Sequence, residues 1–209
     1  MLEKIKATAE FISKTTGFSP ETGIILGSGL GGLVKEIDIV KELNYSDIPG
    51  FPVSTVKGHG NKLIFGTLNG VKVVAMQGRF HFYEGYSMQE VAMPVRVMKF
   101  LGIKNLILSN ASGGVNPKYK VGDLMILDDH INLMGTNPLI GPNNDDLGPR
   151  FPDMGEPYDK TMIKNAKAIA DKHGFTCHTG VYAAVTGPMF ETRAEYKYIK
   201  FIGAASVDQ

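Results

Sequence analysis

Apolar residues recur along this chain in two rhythms, short continuous runs and helix-spaced stripes, which together predict alternating strands and helices. Over residues 2–16, Leu2, Ile5, Ala9 and Ile12 fall on one helical face, and Gly17 ends the element. Residues 22–26, Thr-Gly-Ile-Ile-Leu, form a buried strand that runs into Gly27-Ser28-Gly29-Leu30-Gly31-Gly32 and opens a short helix to about Ile37. Residues 43–61 are turn-rich, with Pro49, Pro52, Gly58 and Gly60. Residues 62–68 and 71–76 flank Asn69-Gly70, the strongest short-range signal for a β-hairpin.

The second half keeps the alternation. Ser87-Met88-Gln89-Glu90 is a capping box that starts a helix ending near Gly102, with Pro94 predicting a kink or an irregular first half. Residues 105–109 read as a buried strand closed by Asn110-Ala111-Ser112-Gly113-Gly114, and 123–131 as the next strand. Residues 133–157 are rich in Pro, Gly, Asn and Asp; a loop of that length is usually functional or an interface. A helix over 159–173 is stopped by Gly174, and a strand over 175–185 follows. Thr192-Arg193-Ala194-Glu195 then caps a helix to Gly203, and a last strand starts at Ala204.

This order predicts an α/β fold, a single three-layer domain over 1–209 with a central mixed β-sheet flanked by helices. The 209 residues suffice for one sizeable core. A net charge of +1 offers no basic stripe for nucleic acid and no acidic, disordered tail. Apolar runs are strand-length and residues 1–10 carry charges throughout, so neither a signal peptide nor a membrane span is expected. Cys177 is the one cysteine, which points to a reducing, cytoplasmic setting.

Gln77-Gly78-Arg79-Phe80-His81-Phe82-Tyr83-Glu84-Gly85-Tyr86 follows a predicted buried strand, where open α/β sheets bind ligands. In extended geometry Arg79 and His81 share a side, with Phe80 opposite: a fixed cation beside a titratable donor, suited to an oxyanion. Tyr83 and Tyr86 add flat surfaces with a polar tip for a sugar or base. An equally good reading packs this loop on the core and places Arg79 in a structural ion pair. The glycine-rich turn at 27–32 formally matches a dinucleotide fingerprint, but no second strand with an acidic end follows about 20 residues on. A phosphate held by backbone N–H groups and the Ser28 hydroxyl at a helix N-terminus fits better than that, and a plain tight turn also fits. Asp128 and His130 alternate on a strand without a third ligand of diagnostic spacing, so no metal is expected. Phe190-Glu191 pairs a ring with a carboxylate that can read a heterocycle N–H, although a solvated acid near a helix start is the plainer reading. Asn110 and Ala111 offer an amide and a backbone N–H, or form a simple turn.

Taken in order, Gly27–Gly32, Gly58-His59, Gln77–Gly85, Asn110–Gly114, Asp129–Leu133, Arg150-Phe151-Pro152 and Gly187–Thr192 resemble the trimeric purine nucleoside phosphorylases. The resemblance covers nearly the whole chain. It implies phosphorolysis of inosine or guanosine to free purine and ribose 1-phosphate, in purine salvage, by a homotrimer with no metal or organic cofactor. It further implies that Ser28, His59, Arg79, Phe80, His81 and the Ala111 N–H hold phosphate, with Arg79 and His81 catalytic. Tyr83 and Asn110 would meet the nucleoside, Phe190 would stack on it, and Glu191 would take the purine N1–H. Phe151 would reach a neighbouring subunit's site. Two departures accompany it. Position 112 is Ser where many relatives have Ala. After Val207 come Asp208-Gln209, where relatives continue through a Gly-Met-Ser-Thr-like segment carrying a further phosphate-binding serine, then an Asn and a His for the base and ribose. The second departure predicts a truncated form, a gene fragment or a frameshift product, with an unpaired strand edge and uncovered apolar faces. The alternatives are a methylthioadenosine phosphorylase and a non-catalytic phosphate- or nucleoside-binding remnant, with a dinucleotide enzyme more distant.

Overall fold

The computed structural model describes residues 1–56 and 60–209. The chain forms two compact units, one of Met1–Ala111 with Pro138–Leu147, the other of Ser112–Asn137 with Gly148–Gln209.

The first unit begins with α1 (Leu2–Thr16), which buries Ile5, Thr8, Ala9 and Ile12 and ends at a left-handed Gly17. Its strands are β1 (Thr22–Leu26), β2 (Asp38–Asn44), β3 (Lys62–Leu68), β4 (Val71–Gln77) and β5 (Asn105–Leu108), ordered β2-β3-β4-β1-β5. β1 pairs in parallel with β4 and β5, while β2, β3 and β4 form an antiparallel meander, so the sheet is mixed. Alternate residues face opposite layers, as a pleated strand requires. Ile25, Leu63, Phe65, Val74 and Met76 pack with Ile5 and Ile12 of α1 on one side; Ile24, Leu26, Ile64, Val73 and Ala75 pack with Ile37 on the other. Full burial of such a side chain stabilises the fold by about 1.5–3 kcal/mol. The hairpin turn has Asn69 and Gly70 both at positive φ, as its Asn-Gly sequence implies.

β2 was not legible in the sequence. It is an edge strand, exposed at every position but Leu43, and its register shifts at Val40. Charges and a bulge on an edge oppose further pairing, and they also erase the apolar alternation that marks a strand. The capping-box helix breaks in two, as Pro94 predicts: α2 (Met88–Val91) is capped by Ser87, and α3 (Met93–Phe100) starts with Pro94 in its first turn. Gln89, Arg96 and Lys99 from these helices donate to backbone carbonyls of Ile140, Pro138, Asp146 and Leu147, fastening the middle of the long loop to this unit.

The second unit holds β6 (Gly113–Gly114), β7 (Leu124–Asn132), β8 (Cys177–Ala184) and β9 (Ser206–Asp208), in the order β6-β9-β8-β7. α4 (Lys160–His173) is capped by the Asp159 carboxylate, and α5 (Arg193–Phe201) by the Thr192–Glu195 capping box. Two expectations change here. The last strand is not an unpaired edge: β9 pairs in parallel with β8 and antiparallel with β6, and Val207 is buried. Asp128 and His130 do not share a regular strand face, because β7 is bulged between Leu127 and Asp129, and His130 Nδ1 meets the Tyr158 hydroxyl at 3.1 Å. Among the described residues no helix is long and apolar enough to cross a membrane.

Candidate functional site

Three neighbouring parallel strands bring the predicted phosphate ligands to one end of the first sheet. Leu26 pairs with Gln77 and Ile25 with Leu108, so Ser28 beyond β1, Arg79 and His81 beyond β4, and Asn110 and Ala111 beyond β5 all leave the sheet at its carboxyl edge. Gly27 makes that convergence possible. A Cβ there would run into the Ser109 carbonyl oxygen and lie 2.5 Å from the Asn110 Cα. Ser109 ties the same ends together, its hydroxyl donating to the Ile25 carbonyl at 3.1 Å and accepting from the Gly27 N–H at 3.4 Å.

The turn after β1 leads into a six-residue 3-10 helix, Gly31–Glu36, rather than an α-helix. The expected α-helical terminus is therefore missing, and Ser28 is exposed in the loop before the 3-10 turn. A dinucleotide fold is also disfavoured: the next strand, β2, sits at the far edge and runs antiparallel to its neighbour, whereas that fold needs an adjacent parallel strand.

Beyond β4 the chain alternates as expected. The Phe80 ring is buried against Tyr45, Phe51 and Tyr86, with centroids 5.3, 5.6 and 5.9 Å away. Its side chain thus belongs to the core, and any phosphate contact at Phe80 is left to its backbone N–H. His81 is buried to 5% exposure and stacks on Tyr83 at 4.7 Å.

Glu84 was not singled out by sequence reasoning, and it organises this corner. Its carboxylate meets His81 Nδ1 at 2.7 Å and the His81 N–H at 2.9 Å. It also accepts from the Thr55 N–H at 2.6 Å and hydroxyl at 2.7 Å, with the Ser54 hydroxyl at 3.3 Å. Burial would raise this carboxyl, but the Thr55 and His81 donors outweigh it and hold it at about 2. An ionised carboxylate only accepts, so His81 carries its proton on Nδ1 and can address a ligand through Nε2. The His-x-x-Glu spacing was the available signal; it reads as a short helical turn, and Phe82–Glu84 is a 3-10 turn.

The other candidates belong to the second unit or fall elsewhere. Phe190 and Phe151 are each 87% exposed, and the Arg150 guanidinium lies 5.8 Å from the Phe151 ring centroid. Glu191 is partly buried, and the Tyr196 phenol is pushed up by burial and then by the charge and hydrogen bonding of Glu191. The hydroxyl of Ser112 donates to the Val207 carbonyl at 3.0 Å, so the serine is accommodated within its own sheet. Asn110 donates from its amide to the Ala111 carbonyl at 2.8 Å. His59 lies outside the described residues.

Adjacent parallel strands of the mixed sheet thus bring Ser28, Arg79 and a carboxylate-anchored His81 to one edge. Residues 21–209 match the family model of the phosphorylase superfamily. "Purine nucleoside phosphorylase 1" of Bacillus subtilis (strain 168) is 56% identical over 207 residues, covering 99% of this chain and 76% of that protein. A Schistosoma mansoni purine nucleoside phosphorylase solved with a monocyclic inhibitor superposes with a TM-score of 0.94 at 47% identity, covering 99% of this chain and 79% of that one. Isoform 2 from the same organism, solved with cytosine and ribose-1-phosphate, gives 0.93 at 44% identity, over 99% of this chain and 74% of that one. The chain belongs to the purine nucleoside phosphorylase family.

Proposed function

We propose that this chain carries out phosphorolysis of purine ribo- and deoxyribonucleosides, with inosine and guanosine preferred. The convergence of Ser28, Arg79, His81, Asn110 and Ala111 on one sheet edge carries this reading. Phosphate held there by Ser28, Arg79, His81, the N–H groups of Phe80 and Ala111, and His59 would lie beneath the ribose. As the C1′–N9 bond lengthens, the phosphate dianion stabilises the oxocarbenium-like sugar and then bonds to C1′; the base leaves with the electron pair. Positioning and preorganised charge supply most of the acceleration in such a transfer. Tyr83 and Asn110 would contact the nucleoside, Phe190 would stack on it, and Glu191 would accept the N1–H of a 6-oxopurine. The reaction so drawn uses phosphate as co-substrate and needs neither metal nor organic cofactor.

Both units are read as one phosphorylase domain, because the family model runs from residue 21 to residue 209 through each. A homotrimer is supported by the resemblance and by the exposure of Phe151, an aromatic suited to a neighbouring subunit. A cytoplasmic setting, with a role in purine salvage, agrees with the lone Cys177.

The test is inosine phosphorolysis by the purified chain with phosphate varied, beside Arg79→Ala. Hypoxanthine and ribose 1-phosphate should form, and Arg79→Ala should lower kcat/KM for phosphate by about 100-fold or more. An unchanged Arg79→Ala rate would remove Arg79 from the site. Binding of phosphate and inosine without turnover would select the non-catalytic reading, and preference for methylthioadenosine would move the chain to that branch.

A further inference from the structure

We propose that Tyr45 is a positioning residue for the anion-holding end of β4, fixing the backbone on both sides of Arg79 and thereby setting phosphate affinity. The proposal rests on the phosphate-site reading above. Tyr45 is fully buried, and its hydroxyl donates to the Gly78 carbonyl at 2.6 Å. Gly78 has φ 104, a conformation open to glycine and to few other residues. A glycine immediately before the guanidinium-bearing residue gives that arm backbone freedom, and the Tyr45 bond removes it. On the other side of Arg79, the Phe80 ring packs against the Tyr45 ring at 5.3 Å and 64°. One side chain thus holds both neighbours of the cation.

The backbone of Tyr45 reaches the histidine arm as well. Its N–H donates to the Asn61 carbonyl at 2.8 Å. The Asn61 side chain accepts from the Ser54 N–H at 2.9 Å and donates to the Ser54 carbonyl at 3.0 Å. Ser54 and Thr55 in turn hold Glu84, which holds His81. Asn61 sits at φ 50, a left-handed geometry that asparagine adopts more readily than most residues with a side chain. A residue needed for packing alone would serve as phenylalanine, since a buried hydroxyl must be satisfied to be tolerated. The hydroxyl is therefore the atom to test.

The experiment measures inorganic phosphate binding by calorimetry, and KM for phosphate and for inosine separately, on the unmodified full chain and three variants. Tyr45→Phe keeps the ring and should weaken phosphate by about tenfold while leaving inosine KM unchanged. Asn61→Ala cuts the second arm and should weaken phosphate in the same direction, which keeps the idea testable if Tyr45→Phe folds poorly. Phe18→Leu loosens the same core where its ring meets Phe65; it should lower Tm and leave phosphate affinity alone. Wild-type phosphate affinity in both Tyr45→Phe and Asn61→Ala, or an equal loss in Phe18→Leu, overturns the proposal. Failure of the unmodified chain to bind phosphate overturns the phosphate reading itself, and this inference with it.

Discussion

Glu84 and His81 are joined at 2.7 Å with side chains 2% and 4% exposed, a buried ion-pair geometry three residues apart on one turn. A buried charge pair contributes little net stability unless its remaining polar atoms are satisfied. Here the Thr55 N–H and hydroxyl satisfy the carboxylate, so the pair orients the imidazole and fixes its tautomer.

Glu84→Gln should therefore act on chemistry as well as on folding. The amide keeps the shape but sets an NH2 donor against Thr55 and His81 donors that meet an acceptor in the wild type. Loss of a charge-assisted hydrogen bond of this kind should lower kcat/KM for phosphate by about 10- to 100-fold, with an altered pH–rate profile. A profile identical to wild type would show that the pair does not tune His81.

The same carboxylate predicts an acid limb of stability. The Thr55 and His81 donors hold it at about 2 in the folded chain, below the ordinary carboxylate value of 4.5. A depressed carboxyl contributes fully above its unfolded value and loses that contribution as pH falls through its folded value. Between pH 4.5 and about 2, wild type should thus lose on the order of 3 kcal/mol that Glu84→Gln does not. Urea unfolding of both proteins, from neutral pH down through that window, reads the difference.

Gly27→Ala should damage both stability and site. The new methyl meets the backbone of Ser109 and Asn110, which cannot rotate away, so the ends of β1 and β5 must part. Overpacking of this sort costs about 1–3 kcal/mol. Tm should fall and phosphate KM should rise together, whereas Gly32→Ala, which meets nothing within 4 Å, should change neither.

Glu191→Gln tests base recognition. An amide keeps an acceptor but loses the charge, so kcat/KM for inosine and guanosine should drop by about 10- to 100-fold while phosphate KM holds. An equal loss in both would mean that Glu191 acts on the fold, where its hydrogen bonding already reaches Tyr196.

Local signals carried much of this molecule. The helix over 2–16, the Asn-Gly hairpin, the break at Pro94 and the capping boxes at Ser87 and Thr192 were legible because each depends on residues a few positions apart. The strand end followed by Arg79 and His81 after β4 was legible for the same reason, since these lie in one short stretch.

What only the tertiary structure decided depends on distant neighbours. Sequence order could not put β1 between β4 and β5, yet that placement brings Ser28, Arg79 and Ala111 to one edge. The charged edge strand β2 forms because β3 offers it a partner, not because its own pattern demands it. Phe80 could be ligand or core until the Tyr45, Phe51 and Tyr86 rings enclosed it. Glu84 gained its meaning from Thr55, 29 residues away. Hydrogen bonding and burial at that range are set by how the layers pack, whereas periodicity and capping are set by the chain's own neighbours. The family was therefore written in the sequence, and the groups that orient its histidine became visible only once the sheet had closed around them.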